Sequence, residues 1–197
     1  MTRTWTINKR FDFCYSHRVF LQKLRTDFCS TGDTKCACRH NHGHQGHVHI
    51  FVEGEDLNPQ GMVCDFKELG FMKDFLDDYL DHKFIVASHD PLYYMLVDSY
   101  IDELLKQHPE MKVIHKVAVC VKGTDVTAGH IFDTTNIADC PLKEYVEGLF
   151  IVNFVPTSEN LAAWLHGLAQ AKLSQIDVKV RRVDFHETPK SCATYME

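Results

Sequence analysis

Two imidazoles separated by a single glycine, His42-Gly43-His44, end the run Cys38-Arg-His-Asn-His-Gly-His. In an extended chain residues i and i+2 face the same way, about 6.6 Å apart. Imidazoles leaning inward from that separation reach one ion at about 2.0–2.1 Å per Zn–N bond. The pair is half of a metal site. Cys38 sets a thiol beside it, and Gly43 is expected to admit a close approach to the backbone. A catalytic zinc takes three protein ligands and keeps one position open. The candidate for the third ligand is His17. Phe11, Phe13, Tyr15 and His17 alternate with Asp12, Cys14 and Ser16, so this imidazole shares a strand face with three aromatic rings. Taken alone, His17 is equally well explained as a hydrogen-bonded core histidine.

Thirteen histidines are present, and His40, His42, His44, His47 and His49 fall within ten residues, a density that a solvated surface does not need. The 197 residues suffice for one domain with a substantial core. Hydrophobic residues at 45% and charged ones at 24% fit a soluble globular chain. A net charge of −6 gives no basic field for nucleic acid or an anionic membrane. With no long apolar run and no apolar leader at the N-terminus, a cytoplasmic protein is expected. The eight cysteines are then expected to be reduced thiols, mostly in the core.

The elements that must hold these groups follow from periodicity. Residues 4–20 and 44–54 alternate as strands, with Val48, Ile50 and Val52 on the face of His42 and His44. Between them, 22–37 is rich in Thr, Asp, Ser and Gly and reads as a loop. Asp65 caps a helix predicted to run to about Asp81, its stripe formed by Phe66, Leu69, Met72, Phe75, Leu76, Tyr79 and Leu80. Thr157 caps a second helix, with Glu159 at the positive end of its dipole and Leu161, Trp164, Leu165 and Leu168 on the buried face. Residues 176–187 alternate again and end at His186-Glu187-Thr188, with a short extended piece near Tyr195. The middle is expected to hold a helix from Asp90-Pro91 through Leu105 and strands over 112–122 and 148–155.

Six motifs occur in order: Phe13-Cys-Tyr-Ser-His17-Arg18, Cys38-x-x-x-His42-Gly-His44, Gly61-Met-Val-Cys-Asp65-Phe66, Leu80-Asp81-His82-Lys83, Pro156-Thr-Ser-Glu-Asn-Leu-Ala162, and Glu187-Thr188 followed by Tyr195. Together they resemble the 6-pyruvoyltetrahydropterin synthase / 6-carboxytetrahydropterin synthase family. The resemblance implies an α+β tunnelling fold, an antiparallel four-stranded sheet with two helices on one face. It implies homo-oligomers, commonly hexamers, with active sites at subunit interfaces, and 7,8-dihydroneopterin triphosphate as the small-molecule substrate. By position His17, His42 and His44 match the Zn²⁺ ligands, Asp81 and His82 the catalytic Asp–His pair, and Glu187 the carboxylate that holds the pterin ring. Thr157 and Glu159 take a secondary place at the pterin site.

The chemistry of these groups suits the implied roles. Zn²⁺ chelating vicinal hydroxyls would lower their pKa and polarise the adjacent C–H. Cys38 as thiolate would serve as base if a nearby cation lowers its pKa. His82, oriented by Asp81, would move protons at the side-chain oxygens. Glu187 offers two acceptor oxygens to the 2-amino group and ring N–H of a pterin. Each also has a plain reading: His82 near a helix C-terminus, Glu187 as a strand-end carboxylate, and Thr157 and Glu159 as cap and dipole partner.

Cys36, six residues before His42, competes with Cys38, at the spacing the resemblance gives to pyruvoyl-forming enzymes; the favoured thiol is Cys38. Residues 84–155 replace what is a short loop in compact members. They are expected to be an insertion of helix and strand within one domain over 1–197, placed either over the mouth of the site or in subunit contacts. Three functions follow. The first is a zinc lyase forming 6-carboxy-5,6,7,8-tetrahydropterin, acetaldehyde and triphosphate for queuosine-type 7-deazapurine synthesis. The second is elimination of triphosphate to 6-pyruvoyltetrahydropterin. The third is a non-catalytic module whose Cys36, Cys38, His42 and His44 close a structural zinc site.

Overall fold

A computed structural model describes residues 4–30 and 32–197. Strand β1 (Trp5–His17) pairs antiparallel with β2 (His42–Gly54) over its whole length, from Trp5 opposite Gly54 to His17 opposite His42. The alternation in sequence becomes burial: Phe11, Phe13, Tyr15, His17, Val48, Ile50 and Val52 all lie inside. Asp65 starts the next element through a capping box, accepting from the Lys67 N–H while the Glu68 carboxylate accepts from the Asp65 N–H. The chain first makes a 3₁₀ turn, Phe66–Leu69, and only then α1 (Gly70–Tyr79). The helix therefore stops before Asp81, two residues short of the expected end.

Residues 83–152 fold as β3 (Lys83–Ala87), a π-helical turn Tyr94–Asp98 running into α2 (Ser99–Gln107), β4 (Lys116–Cys120), β5 (Thr127–Phe132), α3 (Pro141–Glu147) and β6 (Leu149–Val152). Then follow α4 (Ser158–Leu173), capped by Thr157 as expected, β7 (Lys179–Thr188) and β8 (Ser191–Met196). Ile176, expected in the last long strand, instead lies in a 3₁₀ turn that precedes the left-handed Asp177 at φ 56°.

All eight strands form one sheet, in the order β4-β5-β6-β3-β1-β2-β7-β8. The half made of β1, β2, β7 and β8 is antiparallel throughout, and α1 and α4 cover one face of it with Met72, Phe75, Leu76, Leu161, Leu165 and Leu168. This is the α+β arrangement expected. The stretch from β3 to β6 is continuous with this half. It prolongs the sheet, because β3 joins β1 in parallel, β6 joins β3 in parallel, and β5 and β4 add antiparallel. A second core forms on the opposite face, where α2 and α3 bring Leu104 and Val146 against Phe84, Val86, Leu149 and Ile151. Ile85, Phe150 and Val152 point into the first core. Strands covered on both faces read as unbroken apolar runs without alternation.

Of the cysteines, Cys64 is buried and the others are partly or fully exposed, so the expectation of core thiols is corrected. Among the described residues no helix is long and apolar enough to cross a membrane.

Gly129 on β5 marks the tightest point of the extended sheet: a Cβ there would meet the Phe150 ring at 2.6 Å and the Ile151 carbonyl at 2.7 Å. Backbone cannot yield as a side chain does. Gly129→Ala should therefore cost about 1–3 kcal/mol, lowering Tm by about 2–4 °C per kcal/mol. Gly167→Ala, mid-helix in α4 with open space at the Cβ position, should raise stability by up to about 1 kcal/mol. Thermal melts of the two variants check both signs.

Candidate metal centre

The register of β1 on β2 sets His17 directly opposite His42 and Tyr15 opposite His44. Glu187 comes from β7, two positions beyond the buried Phe185 and on the same face. One ligating atom from each of His17, His42, His44 and Glu187 falls within 4.8 Å of all the others. The ring centroids are 4.6 Å apart for His17 and His42, 4.8 Å for His42 and His44, and 5.1 Å for His17 and His44.

Hydrogen bonds behind the rings fix their protonation. His17 Nδ1 is 2.6 Å from the Pro156 carbonyl, and His42 Nδ1 is 2.8 Å from the His40 carbonyl. A carbonyl only accepts, so in each neutral ring Nδ1 carries the proton and Nε2 presents a lone pair. His17 Nε2 and His44 Nε2 are buried without a hydrogen-bond partner. Each lies near Glu187 Oε1, at 3.1 and 3.2 Å, close enough for ion pairing but out of hydrogen-bond alignment. The His17 ring holds the Glu187 carboxyl below its ordinary pKa against the pull of burial, with His44 and His42 adding to the effect. Burial pushes the His44 imidazole toward its neutral form. Buried, unpartnered polar atoms cost about 1–3 kcal/mol each. Two such lone pairs aimed at one place beside an anionic oxygen fit a divalent cation, and three imidazole nitrogens fit a catalytic zinc that keeps a fourth position open.

A cleft of ≈ 600 Å³ opens beside this group, and its lining includes Cys38, Thr157, Glu159, Glu187 and Lys23. Two backbone bonds hold the Cys38 loop: the Val19 N–H donates to the Cys38 carbonyl at 2.8 Å, and Arg18 Nε donates to the Arg39 carbonyl at 3.0 Å. Arg18 also reaches the buried Asp90 at 2.9 Å. The Cys38 thiol is pushed up by burial first, then by the adjacent Cys36 thiol and the charge of Glu187. A thiolate in that place needs a cation beside it. Cys36 touches Cys38 without lining the cleft. Thr157 Oγ1 accepts from the Asn160 N–H at 3.3 Å, so its capping role coexists with its place in the wall.

The structure thus gathers His17, His42, His44, Glu187, Cys38, Thr157 and Glu159, and leaves Asp81 and His82 elsewhere. Asp81 Oδ1 accepts from the Cys14 N–H at 2.7 Å and Oδ2 lies 2.9 Å from His82 Nδ1, forming a separate group. Burial opposes ionisation of Asp81, but the Cys14 and His82 contacts outweigh it and hold its carboxyl low. His82 is 80% exposed and its φ is 58°, a left-handed backbone that costs a non-glycine residue about 1–2 kcal/mol. Such strain gathers at functional sites.

Sequence reasoning missed Pro156 as the acceptor behind His17, and Arg18 with Asp90 behind Cys38. Only the adjacency of Arg18 to His17 signalled the latter. It also misplaced the tight glycine. A Cβ at Gly43 would sit at an ordinary 3.4 Å from the Tyr15 carbonyl, whereas one at Gly46 would meet the Tyr15 ring at 2.8 Å. The closed structural site of Cys36, Cys38, His42 and His44 does not assemble, since the imidazoles cluster with Glu187 and not with the thiols.

Three imidazoles and a carboxylate converge at the end of an antiparallel sheet backed by two helices, a donor set able to hold a metal ion in an α+β fold. The family model described as 6-pyruvoyl tetrahydropterin synthase matches residues 6–197, and the chain belongs to that family, as a lyase. It is 26% identical over 201 residues to 6-carboxy-5,6,7,8-tetrahydropterin synthase of Aquifex aeolicus, covering 98% of each chain. Among solved structures, an uncharacterized protein from Wolinella succinogenes is 37% identical with a TM-score of 0.80, covering 99% of both chains. The 6-pyruvoyl tetrahydropterin synthase of Plasmodium vivax shares the fold at 14% identity, with a TM-score of 0.53 and coverage of 99% of this chain and 98% of that one.

Two outcomes are expected. His42→Ala should lose one bound divalent ion per subunit relative to the parent, read by metal analysis after dialysis, with the far-ultraviolet circular dichroism unchanged. His82→Gly should raise stability by about 1 kcal/mol as the left-handed strain is relieved while turnover falls, a pairing that thermal melts and rate assays detect together.

Proposed function

We propose that the chain is a zinc-dependent lyase that converts 7,8-dihydroneopterin triphosphate to 6-carboxy-5,6,7,8-tetrahydropterin, releasing acetaldehyde and triphosphate, in the cytoplasmic synthesis of queuosine-type 7-deazapurines. The observation that carries the reading is the convergence of the buried Nε2 atoms of His17 and His44 on Glu187, which lines the cleft together with Cys38. The naming of the Aquifex relative supports the carboxy product.

When bound, zinc would be held by His17, His42 and His44 and would supply Lewis-acid polarisation to the substrate's hydroxylated side chain. Cys38 takes the proton from the side-chain carbon as a thiolate. Glu187 receives the 2-amino group and ring N–H of the pterin, with Thr157 and Glu159 lining the same wall. Asp81 keeps His82 oriented through its 2.9 Å contact, and His82 exchanges protons with the side-chain oxygens. Within one chain the Asp81–His82 pair stands outside the cleft, so this reading places the working site between copies of the chain, as the suspected hexamer does.

Product analysis tests the reaction. Incubation with 7,8-dihydroneopterin triphosphate should yield trapped acetaldehyde and 6-carboxytetrahydropterin by mass spectrometry, and none with chelator. Triphosphate release without acetaldehyde would establish the pyruvoyl-forming reaction instead. Cys38→Ala should lower turnover by about 10²-fold or more with metal content equal to the parent. Full activity in Cys38→Ala with loss in Cys36→Ala would exchange the two thiols.

A further inference from the structure

His47, His49 and His186 form a second imidazole cluster on the face of the antiparallel half-sheet opposite the one that carries His17, His42 and His44. His47 and His49 are two apart on β2 and so project to the same side. His186 on β7 is the direct cross-strand partner of His47. The rings of His47 and His186 stack with centroids 4.5 Å apart, and His49 lies 5.3 Å from His186 and 5.8 Å from His47. One nitrogen from each ring falls within 4.8 Å of the other two. Bonds of about 2.0–2.1 Å in tetrahedral geometry need nitrogens about 3.3 Å apart. The paired strands hold the three residues side by side, so the closure asked for is one of side chains.

Arg10 stands opposite His49 on β1 and its charge opposes a cation there, while the other surroundings favour one. Among the described residues no hydrogen bond ties down any of the three rings, so their lone pairs are uncommitted. All three are half-buried, and burial pushes His47 and His49 toward the neutral, ligating form. Asp12 stands opposite His47 and Asp184 opposite His49, so carboxylates flank the rings on both sides. The cations nearest them are engaged: Arg10 with Asp12 at 2.7 Å, and Arg182 with Asp184 at 3.1 Å. Among the described residues no element covers this face, and the three rings stay half-buried.

We propose that His47, His49 and His186 bind a second divalent ion of the late first-row transition series, which ties β2 to β7 at the centre of the antiparallel half-sheet. An all-imidazole donor set suits cobalt, nickel, copper and zinc, and excludes calcium and magnesium, which take oxygen ligands. Three protein ligands leave a coordination position open to solvent. The proposal shares no ligand with the lyase centre and does not depend on it.

The experiment counts metal on the full chain. Chelator-treated protein is dialysed against Zn²⁺ and assayed by elemental analysis, with Co²⁺ absorption as a second readout of coordination. The parent should hold two ions per subunit. His49→Gln and His186→Gln should each hold one, with His49→Gln retaining the parent's turnover and losing the Zn²⁺-dependent rise in Tm that the second ion gives. A His42→Ala/His44→Ala double variant should keep this second ion and its cobalt spectrum while losing the other. One ion in the parent, or two ions in His49→Gln and His186→Gln, overturns the proposal. If both glutamine variants fail to fold, the double variant decides: one ion supports the second site, none sinks it. Failure of the lyase reading alone would appear as a parent that binds both ions yet forms no pterin product.

Discussion

The bond from His17 Nδ1–H to the Pro156 carbonyl joins segments 139 residues apart in sequence, and the candidate centre depends on it. The carbonyl fixes the tautomer, so the lone pair of Nε2 faces His42 and His44 instead of the loop before α4. The full-length register of β1 on β2 then sets the distance between rings, since a slip of one residue would turn His17 or His42 to the other side of the sheet. Helix α4 is tied in as well: the same short loop that accepts from His17 supplies Thr157, the cap of that helix and part of the cleft wall. The support of a candidate ligand, the helix start and the cleft wall thus share residues 156–159.

Two faces of one sheet carry two kinds of packing. Where β3 and β6 run, apolar side chains fill both sides, one set under α1 and α4 and the other under α2 and α3. Where β1, β2, β7 and β8 run, one side is core and the other is polar, with histidine, aspartate and arginine in cross-strand register. The imidazoles at the strand ends are on the core side, which explains their burial. Those nearer the middle of β2 are on the open side, so a single stretch from His42 to His49 serves both surfaces by alternation alone.

What the sequence revealed follows the same division. β1, β2 and β7 have one buried face, so period-two alternation identified them, and with it the shared face of His17, His42 and His44. β3 was invisible because Lys83–Ala87 is buried on both sides and has no period, and β5 and α3 were missed in the same half. Asp65 and Thr157 announced their helices by capping chemistry, which is local. The partners behind the site were not legible: Pro156 acts through a carbonyl that every residue possesses, and Asp90 meets Arg18 across 72 residues. Glu187 was recognisable as a strand-end carboxylate, but its approach to the imidazoles depends on β7 lying beside β2, which no local pattern encodes. The isolation of Asp81–His82 from the cleft follows from α1 ending early and from the left-handed turn at His82, features set by packing against β1.

The pair of Arg18 and Asp90 gives the β3-to-β6 half of the sheet a bearing on the other half. Asp90 lies just past β3 and is 4% exposed, while Arg18 leads out of β1 and braces the Cys38 loop. Loss of the Asp90 carboxylate would strand a guanidinium without its anion, a loss of the kind that costs about 3–5 kcal/mol at a buried pair. The thiol loop would lose its brace in the same stroke. One guanidinium thus couples the end of β3 to the posture of the thiol loop, so a change in either is felt by the other.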